Sequence, residues 1–183
     1  MLNINNNFSV LAAPEDPTHA SDIKPEHTDA IINLAKRQYD YVILDVGNNL
    51  DAVSIKAMDQ SDMIFPVMQA TMPYIRYGKQ LLGVFRSLDY RKDKIHVIVN
   101  RYGNGGEINL QDMKAAYNTG IYKIIPNDFK LVATSINQGV PVLKLDQRNP
   151  ISKALGLLAK GLVGGEAANA LPSSWISRML KLA

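Results

Sequence analysis

The chain has 183 residues, the length of one domain or of one domain with a short appendage. Hydrophobic residues make up 46% and charged residues 20%, enough apolar matter for a sizeable core, which excludes a disordered chain. Cysteine is absent, so disulfide scaffolds, thiolate nucleophiles and cysteine zinc sites are excluded as well.

The net charge of +3 is unevenly spread: residues 1–50 carry −4, the next two stretches of fifty carry +2 each, and residues 151–183 carry +3. No block is basic enough for a nucleic-acid footprint. The start has neither a basic n-region nor an apolar h-region, and no run approaches the roughly 18 apolar residues of a membrane span. These features predict a cytoplasmic protein.

In chain order, short β-branched runs alternate with helical patterns. Residues 8–12 form the first strand candidate. A helix follows, with Pro25 in its first turn and Ile31, Ile32, Leu34 and Ala35 as its apolar stripe. Tyr41-Val42-Ile43-Leu44-Asp45-Val46 is apolar almost throughout, the pattern of a strand buried on both faces. Residues 51–60 read as helix and 63–68 as strand, although Pro66 cannot donate to a ladder. The clearest helix is 74–88, with Ile75, Leu81, Leu82, Phe85 and Leu88 at spacings of three and four.

A strand at 95–99, a glycine-rich loop at 103–106, a helix at 110–117 and a strand at 122–125 come next. A helix then opens at Pro126-Asn127-Asp128 and closes at Gly139. A short strand at 142–145 and a helix at 151–162 complete the pattern. Such alternation predicts an α/β fold, a mostly parallel sheet with helices on both faces. Residues 1–163 are expected to form that domain and 164–171 a small-residue linker. Residues 172–183 are expected to form an amphipathic helix on which Trp175, Ile176, Met179 and Leu180 share a face. That helix either docks on a membrane surface or partner groove, or packs back on its own domain.

Ligands of open α/β sheets bind beyond the carboxyl ends of the strands, so Asp45, Gln69, Asn100, Arg101 and the Pro126–Asp128 turn are the first candidates. Asp45 at a strand tip has the Walker B arrangement for magnesium, although a strand-terminal Asp more often caps the following turn. Asn100 and Arg101 suit a purine edge or ribose, and equally a turn into Gly103. Asp128 suits an exocyclic amine, and equally the N-terminus of a helix. No Gly-x-x-x-x-Gly-Lys-Ser/Thr loop is present; the one Gly-Lys pair, Gly78-Lys79, lies in mid-helix. His19, His27 and His96 have no metal-ligand spacing, and no Gly-x-Ser-x-Gly elbow supports a hydrolase.

Three stretches nevertheless resemble the deviant-Walker ATPases of the MinD and ParA superfamily, and more closely its CpaE/TadZ branch of tight-adherence (Flp) pilus assembly. They are Tyr39-Asp40-Tyr41-Val42-Ile43-Leu44-Asp45 with Asn49-Leu50-Asp51; Val97-Ile98-Val99-Asn100-Arg101-Tyr102; and Ile125-Pro126-Asn127-Asp128 through Ile136-Asn137-Gln138-Gly139-Val140-Pro141 to Arg148-Asn149-Pro150-Ile151. The resemblance covers about residues 8–160. It implies that Asp45 is the Walker B carboxylate and metal ligand, and that Asn100, Arg101, Pro126 and Asp128 border an adenine pocket. It further implies ATP and Mg2+ as the intact family's cofactors, and pilus or secretion assembly proteins as partners.

Gly47 and Ala70 stand where the family usually has proline, and the family's phosphate-binding loop has no counterpart in these residues. The expectation is therefore a localisation scaffold that works without nucleotide, or part of a longer ATPase, with a plasmid-partition or cell-division relative as the alternative. Such a chain is expected to be inactive alone, cytoplasmic with an option of peripheral placement at the inner membrane or cell pole, and prone to self-association. Leu2 and Ile4 are expected to shield the sheet by extending the Phe8 strand backwards.

Overall fold

The computed structural model describes residues 1–5, 7–13, 16, 18, 22–103 and 106–163. The predicted linker and C-terminal helix, together with His19, lie outside them. The described chain divides into two compact units, Met1–Asp62 and a second beginning at Met63.

The first unit opens with an antiparallel hairpin of β1 (Leu2–Asn5) and β2 (Phe8–Val10), with Leu2 opposite Val10 and Asn5 opposite Phe8. Leu2 and Ile4 thus fold back beside the Phe8 strand and do not extend it. Asn5 at the turn is the cause: its side-chain oxygen accepts from the Asn7 amide at 2.9 Å, an Asx turn that reverses the chain. Helices α1 (Pro25–Gln38) and α2 (Ala52–Asp59) follow as the sequence predicts. Asp51 caps α2 by accepting from the Ser54 amide at 2.7 Å, which holds its carboxyl below the usual range. Lys56 and Asp29 link the two helices across 2.9 Å.

Among the described residues of this unit, Ile32, Ala57 and Met58 supply the buried apolar side chains. Ile31 and Leu34, expected on the buried stripe of α1, are exposed. Residues 41–46 are the larger correction. They belong to no strand or bridge, although exposure alternates residue by residue as in a pleated segment. A run that is apolar on both faces needs a paired neighbour to become a ladder, and composition alone does not supply one.

The second unit holds a parallel sheet of order β3-β4-β5, from β3 (Val67–Met68), β4 (Val97–Tyr102) and β5 (Ile121–Pro126). The predicted strand at 63–68 is cut short at its proline. Upstream of Pro66 only an isolated bridge, Ile64 to Ile95, survives, while the Pro66 carbonyl still accepts from the Ile98 amide at 2.9 Å. Helix α3 (Met72–Ser87) lies between β3 and β4 in sequence, and α4 (Leu110–Tyr117) between β4 and β5. After β5 come α5 (Phe129–Gln138), α6 (Val142–Leu145) and α7 (Pro150–Val163). This is an α/β fold with a parallel sheet.

Val97, Val99 and Met113 are almost wholly buried, and Ile98, Ile125 and Ile151 form a second cluster joined by Val142 and Leu155. The expected strand at 142–145 is instead the single turn α6. Pro141 starts it with φ −56°, and its carbonyl accepts from the Lys144 amide at 2.8 Å. Four residues carry too little periodicity to separate a strand from one helical turn.

Candidate functional site

The site is built at the carboxyl ends of β4 and β5. Val99 pairs with Ile124 and Tyr102 with Pro126, so three steps along β4 oppose two along β5. The extra residue is a bulge at Asn100-Arg101, the device that bends a strand and re-aims its side chains. Arg101 takes φ +52° there, a left-handed conformation that a non-glycine residue adopts only when its surroundings impose it. The Asn100 side-chain oxygen accepts from the Arg101 amide at 2.9 Å and pins the bulge. Beyond it, the Asn127 amide donates to the Tyr102 carbonyl at 3.0 Å and carries the chain from β5 into the turn.

Asp128 uses both carboxylate oxygens. One accepts from the Leu131 amide at 3.0 Å as the cap of α5, and the other accepts from the Asn149 side chain at 2.8 Å. These two bonds, the backbone amide first, lower its pKa from the ordinary Asp value. Asn149 in turn accepts from the Ile151 amide at 2.9 Å, so one chain of hydrogen bonds joins the starts of α5 and α7. Asn149 lay within the third family-like stretch, but no role for it was legible there. The ring of polar groups it completes exists only once α7 returns to α5.

The result is a cleft of about 430 Å³. Asn100, Arg101, Pro126, Asn127 and Asp128 form its polar rim, and Ile125, Val132, Val142, Ile151 and Leu155 its apolar wall. Phe129 and Ile136, both largely exposed, continue that wall along α5. They are the contribution that the sequence reading missed; the spacing 129, 132, 136 on a short helix was the available signal.

Four of the five predicted site residues, Asn100, Arg101, Pro126 and Asp128, therefore line one cleft. Asp45, the fifth and the predicted metal ligand, belongs to the first unit, is exposed and is not among the lining residues. The chemistry fits a flat, partly apolar ligand with polar edges better than a charged one: Arg101 is the one cation in the lining. The described residues hold no group of three or more His, Asp or Glu placed for a metal ion.

Asp128→Ala should lower the melting temperature, since it removes a helix cap and strands the Asn149 amide. Because the folded pKa is depressed, the ionic part of that contribution is present above the unfolded value of about 3.9 and disappears as pH falls through the lower folded value. The gap in melting temperature between wild type and variant should thus be steady from pH 7 to 5 and narrow below about pH 4. A gap that widens in acid would show that Asp128 is not held as its carboxylate.

No family model matches the chain. A search of characterised sequences finds the septum site-determining protein MinD of Thermotoga maritima, 25% identical over 147 residues that cover 78% of this chain and 54% of that protein. Among solved structures, a ParA family ATPase from Chlorobium tepidum superposes with a TM-score of 0.78 at 25% identity, over 83% of this chain and 62% of that one. MinD from Pyrococcus horikoshii, solved with Mg-ADP, gives 0.70 at 19% identity, over 86% of this chain and 63% of that one, a likeness of fold. The chain thus spans a little over half to three fifths of these relatives' length. With sequence and fold in agreement over about four fifths of its residues, the chain is homologous to the MinD/ParA-family ATPases.

Proposed function

We propose that these residues form a localisation or scaffold module of pilus assembly, of the CpaE/TadZ kind, which acts without nucleotide on its own or as part of a longer ATPase. The observation that carries this reading is the Asp128–Asn149 hydrogen bond. It ties together the two ends of the stretch that most resembles the pilus branch, so that stretch works as one structural unit. The cleft beside it, of about 430 Å³, combines a polar rim with an apolar wall.

A triphosphate would find little else among these residues. Phosphoryl transfer depends on positioning and on charge stabilisation by a phosphate cradle, and the 183 residues contain no Gly-Lys-Ser/Thr loop. Asp45 remains the candidate Walker B carboxylate, in the first unit. No described helix is long and apolar enough to cross a membrane. Peripheral attachment through residues 172–183, and a cytoplasmic or polar location, belong to the same proposal.

Isothermal titration of the 183-residue chain with Mg-ATP is expected to show weak binding or none. A dissociation constant in the low micromolar range, or ATP turnover above buffer background, would overturn the nucleotide-independent reading. In the host cell, deletion of the coding sequence should remove assembled pili and leave division-site placement intact. Normal pili with misplaced septa or lost plasmids would favour the partition or cell-division alternative.

A further inference from the structure

Ile136 and Phe129 are the barest large apolar side chains described in the second unit, 74% and 71% exposed. They stand about two turns apart on α5 and share one face of it, with Val132 and Ala133 between them. All four line the cleft of about 430 Å³, as do Ile151 and Leu155 of α7. Helix α7 is also the element from which the chain continues: the described residues end at Val163, and the sequence runs on through residues 164–183. In that continuation Trp175, Ile176, Met179 and Leu180 recur at helical spacing, while Ser174, Ser177, Arg178 and Lys181 fill the opposite side.

We propose that residues 172–183 fold back as a helix and lay Trp175, Ile176, Met179 and Leu180 on the apolar face of α5, over the mouth of the cleft. The proposal does not rest on the pilus reading. It sets a condition on peripheral attachment, because a docked segment is withheld from a bilayer until something releases it.

Reach is the first argument for this occupant. Leu155, in the cleft lining, lies about 12 Å along α7 from Val163. Residues 164–171 span up to about 26 Å when extended, which covers the way back. Size is the second: as a helix, residues 172–183 are about 18 Å long, and the stripe from Phe129 to Ile136 takes up about 10 Å of α5. The third is competition. A helix this short is marginal in water and needs an apolar surface to form on. A short linker presents α5 to it at an effective concentration in the millimolar range, which a separate molecule at micromolar concentration does not match. Charge sets the rotation. The one carboxylate in the described lining, Asp128, is already engaged by the Leu131 amide and the Asn149 side chain, so Arg178 and Lys181 are left to the solvent side.

Trp175 is the chain's single tryptophan, so its fluorescence reports this segment alone. In buffer without lipid its emission should be blue-shifted, and acrylamide should quench it at least about threefold less than in Ile136→Glu, where a charge interrupts the seam. Ile136 is bare, and a retained cooperative thermal transition would show that the variant folds. The absence of native cysteine permits a second measurement. Phe129→Cys and Ile136→Cys, each paired with Met179→Cys, bracket the two directions in which the segment can lie. At least one pair should oxidise to a disulfide within a single chain about tenfold faster than Leu157→Cys with Met179→Cys. Leu157 is the stringent control, being exposed on α7, absent from the cleft lining and nearer to residue 179 along the chain. Equal quenching of Trp175 in the intact chain and Ile136→Glu would overturn the proposal and leave the α5 face to a second copy, a partner or further residues of a longer chain. Disulfides that join two chains, or a Leu157 pair as fast as both α5 pairs, would overturn it as well.

Discussion

Gly78→Ala is expected to destabilise the second unit even though it replaces a mid-helix glycine with the best helix former. A Cβ built on Gly78 would lie 2.6 Å from Cε1 and 2.8 Å from Cζ of the Tyr117 ring. That ring cannot step aside. Tyr117 is almost fully buried on α4, and its hydroxyl donates at 3.0 Å to the Tyr74 carbonyl on α3, one turn before Gly78. The glycine is the notch that lets α4 close on α3.

Helix propensity alone would favour alanine by about 1 kcal/mol. An overpacked core costs about 1–3 kcal/mol and should win, lowering the melting temperature by several degrees. Gly78→Val should do worse, since a branched Cβ meets the same ring. The decisive measurement is a double-mutant cycle. In a Tyr117→Leu background the obstacle is gone, so Gly78→Ala should become neutral or stabilising by up to about 1 kcal/mol. If the two substitutions simply add, the ring does not set the size of residue 78. Coupling between the two would give the one Gly-Lys pair of the chain a packing role, consistent with the reading that it is no phosphate loop.

The contrast between α3 and residues 41–46 shows what was legible in the sequence. Helix α3 could be read because its apolar residues repeat at helical spacing and a helix satisfies its own backbone. The same holds for α1, α2, α4, α5 and α7, whose caps at Asp51, Asn109 and Asp128 are local. Residues 41–46 have equally clear strand composition, but a strand takes its hydrogen bonds from elsewhere, and composition does not reveal whether a neighbour is there.

The cleft divides along the same line. Its polar rim could be placed because strand ends are where α/β sheets bind ligands, and because the resemblance pointed to the same residues. The bulge that aims Asn100 and Arg101 depends on register between two strands, and the Asn149 tie depends on the return of α7. Neither is a local property, so neither was visible.

Hydrogen exchange should show the two units to be unequal in stability, with the first opening far more readily. Amides of α1 and α2 are expected to exchange at least a hundredfold faster than those of Val97, Ile98 and Val99. The reason lies in what each unit buries. Opening free energies follow the apolar surface and backbone bonds lost on opening, from near zero in thinly packed regions to the global value in core strands. In β4 three consecutive side chains are buried, Val99 completely, with ladders to strands on both sides. In the first unit a few buried residues around Ile32 and Met58 must hold two helices, while Leu2, Ile4, Phe8, Leu11, Ile31 and Leu34 stay exposed. The Lys56–Asp29 ion pair and the bond that Lys36 donates to the Gln60 carbonyl lie at the surface, where water competes for the same groups. At about 1.4 kcal/mol per tenfold, a hundredfold difference asks for under 3 kcal/mol between the units, roughly the burial of one Leu-sized side chain. Ile32→Ala should accelerate exchange throughout α1 and α2, because it removes the best-buried side chain of that unit. Protection of α1 within tenfold of β4 would mean that the first unit is held by more than its own core.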